Sequence, residues 1–116
     1  MADYIEIATT NDIHEGKMKR VVAGEHEFVL ARSGGRIYCA DNLCPHLGGN
    51  LSDGILRGGV ITCPMHHSQF DLTDGHVIRW TDLTGIILTI ARNTRPPRPL
   101  RVYPVKIEGD KILIAY

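Results

Sequence analysis

Apolar and polar residues alternate along this chain in short runs, each closed by turn-forming residues. Tyr4–Ala8 (YIEIA) alternates and predicts a strand. Lys19–Ala23 and Glu27–Ala31 follow, separated by Gly24. Ser33-Gly34-Gly35 then turns the chain into Arg36–Ala40, and two β-rich runs joined in this way predict a hairpin. Gly58-Gly59 predicts another between Ile55–Arg57 and Val60–Thr62. Gln69–Leu72 reads as a strand ended by Thr73-Asp74-Gly75. Leu100–Ile107 and Lys111–Tyr116, joined by Glu108-Gly109-Asp110, predict a terminal hairpin. Thr81–Asn93 (TDLTGIILTIARN) reads as a short helix capped by Thr81 or Thr84, although its isoleucines suit a strand equally well. Many short strands with glycine-rich turns predict an all-β fold, an antiparallel sandwich or barrel. At 116 residues the chain is expected to form a single domain, 1–116.

Composition narrows the function classes. Thirteen basic residues balance thirteen acidic ones, so the basic excess of a nucleic-acid binder is missing. The longest apolar run, Ile86–Leu88, is far too short for a membrane span. The start MADYIEIATTND has neither the basic residues nor the apolar stretch of an export signal, so the expected location is cytoplasmic. The segment from Arg92 to Arg101 carries four arginines among three prolines and suits either an acidic partner or a solvated loop.

In that setting three cysteines are poor disulfide candidates and better metal ligands. Cys39 sits in an apolar run and is expected to be a small buried hydrophobe. The other two open short motifs, Cys44-Pro45-His46-Leu47-Gly48-Gly49 and Cys63-Pro64-Met65-His66-His67-Ser68-Gln69-Phe70-Asp71. Each offers one thiolate and one imidazole, and on composition alone His67 rivals His66. Two Cys and two His suit a structural zinc ion, or a [2Fe–2S] centre in which two neutral imidazoles replace two thiolates on one iron. That exchange removes two negative charges and makes an added electron easier to accept. Pro45 and Pro64 fix φ, while Gly48 and Gly49 let backbone N–H groups approach.

The pair C-x-H … C-x2-H, present here as CPHLGG and CPMHHSQFD, resembles the Rieske family, most closely its small ferredoxins of aromatic-ring dioxygenase systems. The likeness extends through Ile37–Asn42 and the terminal YPVKIEGDKILIAY. It implies a Rieske-like β-sandwich with a small cluster-binding portion at about 42–72. It implies one [2Fe–2S] cluster with Cys44 and Cys63 on one iron and His46 and His66 on the other; the family spacing selects His66. His67 stands where the family often has Gly. Gly49 and Met65 stand where respiratory members carry a loop-to-loop disulfide. Ser68 matches a serine that bonds a bridging sulfide in high-potential members, and Phe70 replaces a tyrosine that bonds a cysteine sulfur. Loss of that hydroxyl implies a potential in the lower part of a range of roughly −150 to +300 mV.

The resemblance further implies a one-electron carrier, not an enzyme, with a reductase and a terminal oxygenase as partners. Two other readings stand beside it: the small Rieske-like subunit of a nitrite reductase-type complex, and a zinc-stabilised β-module that binds another protein. Trp80 is expected in the core, His14, His26 and His76 on the surface, and Leu47 and Met65 at exposed loop tips. If His46 is an iron ligand, His46→Cys should lower the potential of any cluster that still assembles, because it adds negative charge; redox titration reads the shift.

Overall fold

The computed structural model describes residues 4–45, 48–65, 67–80 and 97–116. Among the described residues eleven strands run in the order β1 (Tyr4–Thr9), β2 (Met18–Ala23), β3 (His26–Ser33), β4 (Arg36–Asp41), β5 (Ile55–Arg57), β6 (Val60–Thr62), β7 (Gln69–Asp71), β8 (Val77–Arg79), β9 (Val102–Tyr103), β10 (Val105–Glu108) and β11 (Lys111–Ala115). All the strand pairings are antiparallel, and they form three sheets: β1-β11-β10, β2-β3-β4-β9 and β5-β6-β7-β8. The all-β expectation holds, and no α-helix occurs among the described residues. None of their helical turns is long and apolar enough to cross a membrane. The helix expected over Thr81–Asn93 lies outside the described residues, as do Arg92 and Arg95 of the arginine–proline segment.

Strand β3 shows why there are three layers. Its centre, Phe28-Val29-Leu30-Ala31, is fully buried on both faces, which is why it reads as a continuous apolar run instead of an alternation. The two-residue period sends Phe28 and Leu30 into one core with Cys39, Ile112 and Ile114. Val29 and Ala31 enter a second core with Ile61, Phe70, Leu72, Trp80, Cys44 and Cys63. The β2-β3-β4-β9 sheet is therefore a central layer, with the β1-β11-β10 sheet on one side and the β5-β6-β7-β8 sheet on the other. Each fully buried Phe- or Leu-sized side chain contributes about 1.5–3 kcal/mol.

The hairpins form where predicted. Gly34 and Gly35 adopt φ of 61° and 78°, and the Glu15 carboxylate accepts both their N–H groups, at 2.8 and 2.9 Å. Those bonds hold the Glu15 carboxyl below the usual carboxylate range.

Three expectations change. Leu100–Ile107 is not one strand: β9 pairs with β4 and β10 with β11. Pro104, which has no N–H to give a ladder, stands at the switch between sheets. Strand β8 was not anticipated, because three residues are too few for a visible period. His26 is half-buried: its Nε2 lies 2.9 Å from Asp41 Oδ1 and 3.1 Å from the Tyr103 hydroxyl, and its ring stacks on Phe28 at 4.6 Å. His14 and His76 are exposed as expected. Trp80 is buried and meets Phe70 edge-on at 6.4 Å.

Cys39 is 1% exposed. Burial, reinforced by the negative charge of Asp41, pushes its thiol from 9.0 up to about 12. Burial and the bond to Asp41 also raise the Tyr103 hydroxyl. In both cases the unfolded chain loses its proton first. Stability from these groups is therefore complete below pH 9.0 and falls as the pH rises from there towards about 12. Urea unfolding at stepped alkaline pH should show that decline, and iodoacetamide at pH 8 should label Cys39 only as fast as the chain opens.

Candidate metal centre

The two cysteine motifs fold into the same backbone turn. In loop 1, between β4 and β5, the Cys44 N–H donates to the Gly49 carbonyl (2.9 Å) and the Gly48 N–H to the Cys44 carbonyl (2.8 Å). In loop 2, between β6 and β7, the Cys63 N–H donates to the Ser68 carbonyl (2.8 Å) and the His67 N–H to the Cys63 carbonyl (3.2 Å). The offsets are identical. Each loop carries proline directly after its cysteine and a left-handed residue four positions on: Gly48 at φ 77° and His67 at φ 59°.

The shared register sharpens the motif comparison. The histidine comes two residues after Cys44 and three after Cys63. Loop 1 therefore reads His46-Leu47 where loop 2 reads Met65-His66, so histidine and apolar residue exchange places. His46, Leu47 and His66 lie outside the described residues. Met65 is 54% exposed, as a loop-tip residue should be.

The loops are anchored from below. Asn42, fully buried, donates its N–H to the Glu27 carbonyl and accepts the Leu51 N–H. Its side-chain oxygen takes the Ser52 N–H at 3.0 Å, and its amide nitrogen faces Asn50 Oδ1 at 3.3 Å. Leu43 and Asn50 bridge the neck of loop 1. Loop 2 is held by Arg79, whose Nε and Nη2 donate to the His67 carbonyl at 3.1 and 3.0 Å. Ser68 is buried, and its hydroxyl donates to the Trp80 carbonyl. Sequence reasoning missed Asn42 and Arg79, since neither belongs to a ligand pattern; their roles arise only when strands and loops meet. Phe70, in the position of the family's tyrosine, is fully buried.

Loop 1 packs closely on loop 2. A Cβ placed on Gly49 would stand 2.8 Å from Cys63 Sγ and 3.0 Å from Met65 Cγ and Sδ, so a side chain there would have to displace the Cys63 thiol. This puts Gly49 and Met65, the two positions matched to the respiratory disulfide, side by side. Cys44 and Cys63 are 3% and 2% exposed and are not joined in a disulfide. Two buried thiols, presented by twin turns that meet with only a glycine between them, fit the thiolate half of a [2Fe–2S] site.

His67 shows why glycine suits its position. A left-handed conformation costs a residue with a Cβ about 1 kcal/mol. The His67 contact to Arg79 uses only the backbone carbonyl. His67→Gly removes that conformational cost while the backbone bonds from Arg79 survive the change. Thermal unfolding of the cluster-loaded protein measures this.

This chain belongs to the Rieske [2Fe–2S] domain family, whose pattern matches residues 3–104. It accordingly carries one [2Fe–2S] cluster, which decides against the zinc reading. Among curated relatives, it is 34% identical over 112 residues to the ferredoxin component of the naphthalene 1,2-dioxygenase/salicylate 5-hydroxylase systems of Ralstonia sp., covering 97% of this chain and 94% of that one. It is 29% identical to the ferredoxin component of the alkene monooxygenase system of Xanthobacter autotrophicus, covering 97% and 80%. The ferredoxin of carbazole 1,9a-dioxygenase from Nocardioides aromaticivorans superposes with a TM-score of 0.77 at 25% identity, covering 98% of both chains. These relatives are ferredoxin components, as the first reading expected, and not nitrite reductase subunits.

Proposed function

We propose that the protein is a one-electron carrier that takes electrons from a reductase and delivers them to a terminal oxygenase or a similar enzyme. The cluster is proposed to be held by Cys44 and Cys63 on one iron and by His46 and His66 on the other. The observation that carries this reading is the pair of twin turns with buried cysteines, drawn together at Gly49. A bound [2Fe–2S] group supplies one reversible electron and lowers the charge penalty of reduction through its imidazole ligands. The chain's own residues fix the loops: Asn42 and the Leu43–Asn50 bridge below loop 1, Arg79 and Ser68 behind loop 2. Exposed Met65, and by sequence Leu47, offer the apolar tip that a partner would cover.

The family match across most of the chain supports one domain, 1–116. The relatives named as ferredoxin components of dioxygenase systems support the oxygenase as electron acceptor. A cytoplasmic location is part of the same reading. Anaerobic titration with dithionite tests it. The carrier reading expects two irons and a single, reversible one-electron step per chain. Uptake of two electrons, or turnover of a substrate by the chain alone, would argue for an enzyme.

A further inference from the structure

We propose that the outer face of the β5–β8 sheet is the docking surface for an acidic protein partner in electron exchange. This rests on the carrier reading and names the chemistry of the partner. The face is defined by the strand register. Leu56, Ile61, Phe70 and Val77 point inward to the core. The alternate residues point outward: Ile55, Thr62, Gln69 and Arg79 form one row across the sheet, with Arg57, Val60 and Asp71 in the next. They line a groove of about 430 Å³.

The floor of the groove is apolar and no described residue covers it. Ile55 is 56% exposed and Ile78 46%. Its rim is basic. Arg57 and Arg79 line it, no carboxylate does, and neither arginine has an ion-pair partner among the described residues. Arg79 donates two N–H groups to the His67 carbonyl, which is neutral, so that contact leaves its charge uncompensated. The nearest acid on that sheet, Asp71, accepts the backbone N–H and the hydroxyl of Thr73. The formal charge of the whole chain is zero, so this patch is local and not a general basic excess.

Apolar centre, charged rim and arginine are the features of a protein interface. Nucleic acid would call for a longer basic track and flat stacking rings, and isoleucines supply neither. The complement is a surface that bears carboxylates around an apolar patch. The groove is continuous with the cluster site: Thr62 directly precedes Cys63, and His67 of loop 2 lines the same groove. A partner seated here reaches loop 2 from the side and adds charge recognition to the apolar tip.

The test uses the full-length, cluster-loaded protein, reduced with dithionite and mixed by stopped flow with two protein oxidants of opposite surface charge: acidic plastocyanin and basic cytochrome c. Arg57→Glu, at the exposed end of β5, should leave the visible spectrum unchanged. It should slow oxidation by plastocyanin about tenfold at low ionic strength, with the difference largely gone at about 0.5 M salt. Oxidation by cytochrome c should be unchanged or faster. Ile55→Ser should slow the plastocyanin reaction about threefold at every salt concentration, since it removes apolar contact and not charge. A plastocyanin-to-cytochrome c rate ratio that stays within about twofold of the parent in Arg57→Glu overturns the proposal. So does equal slowing with both oxidants. A parent protein that holds no reducible cluster defeats the carrier reading first and this proposal with it.

Discussion

Cys63→Ser should yield a colourless protein with almost no iron. On the proposed ligand set, Cys63 supplies one of two thiolates, and a serine hydroxyl does not ionise near neutral pH. Cys63 is also 2% exposed, so the new hydroxyl enters the buried cluster that includes Phe70, Trp80 and Leu51. The backbone bonds that shape loop 2 involve the N–H and carbonyl of residue 63 and survive the change. The turn therefore remains while the ligand is lost. Because a bound cluster ties loop 1 to loop 2, its loss should also lower the unfolding temperature markedly. Cys39→Ala provides the contrast. Cys39 lies in the other core, beside Phe28 and Ile112, and its replacement should leave the visible spectrum and iron content intact. Iron analysis and absorbance on both variants decide the matter; full cluster content in Cys63→Ser would remove Cys63 from the ligand set.

Gly75→Ala should be the most destabilising of the glycine replacements outside the loops. Gly75 is buried at φ 82°, at the turn between β7 and β8. Its N–H donates to the Asp71 carbonyl and its own carbonyl accepts the Leu100 N–H at 2.8 Å. A Cβ here would stand 1.9 Å from the Leu100 carbonyl oxygen, which is backbone and cannot swing away. The left-handed strain costs about 1 kcal/mol. Displacing Leu100 and its hydrogen bond costs a further 1–3 kcal/mol or so. A total of about 3 kcal/mol corresponds to a fall in Tm of about 10–20 °C. Gly109→Ala isolates the conformational part, because Gly109 has φ 63° but nothing within 4 Å of its Cβ position. That variant should lose only about 1 kcal/mol. Equal losses in the two variants would mean that the Leu100 contact carries no weight.

Gly75 also marks where the sequence stopped being informative. Thr73-Asp74-Gly75 announces a turn, and a turn is found; that Leu100, twenty-five residues on, presses against it is a tertiary fact with no local pattern. The same division holds across the fold. Hairpins β3–β4, β5–β6 and β10–β11 were legible because glycine turns and apolar alternation lie within a few residues of one another. The break at Pro104 was also written in the chain, but a proline inside an alternating stretch does not say which sheet each half joins. The central position of β3 was hinted at by its unbroken apolar run, Phe28-Val29-Leu30-Ala31.

At the site, the ligand types and spacing were visible, because few chemistries ask for two Cys–Pro motifs with a histidine close behind each. The identity of the two turns was not visible. Histidine sits at different offsets in the two motifs, and only the matching hydrogen bonds at 44/48/49 and 63/67/68 reveal the common register. His26 was misplaced for a related reason: Asp41 and Tyr103, its partners, are distant in sequence.

Pulsed EPR of the dithionite-reduced protein, labelled with ¹⁵N-histidine, tests the central claim most directly. Mixed ligation predicts a reduced [2Fe–2S] signal with hyperfine coupling to two imidazole nitrogens. A reduced cluster without histidine nitrogen coupling would contradict that account, and so would purified protein that binds zinc and gives no signal.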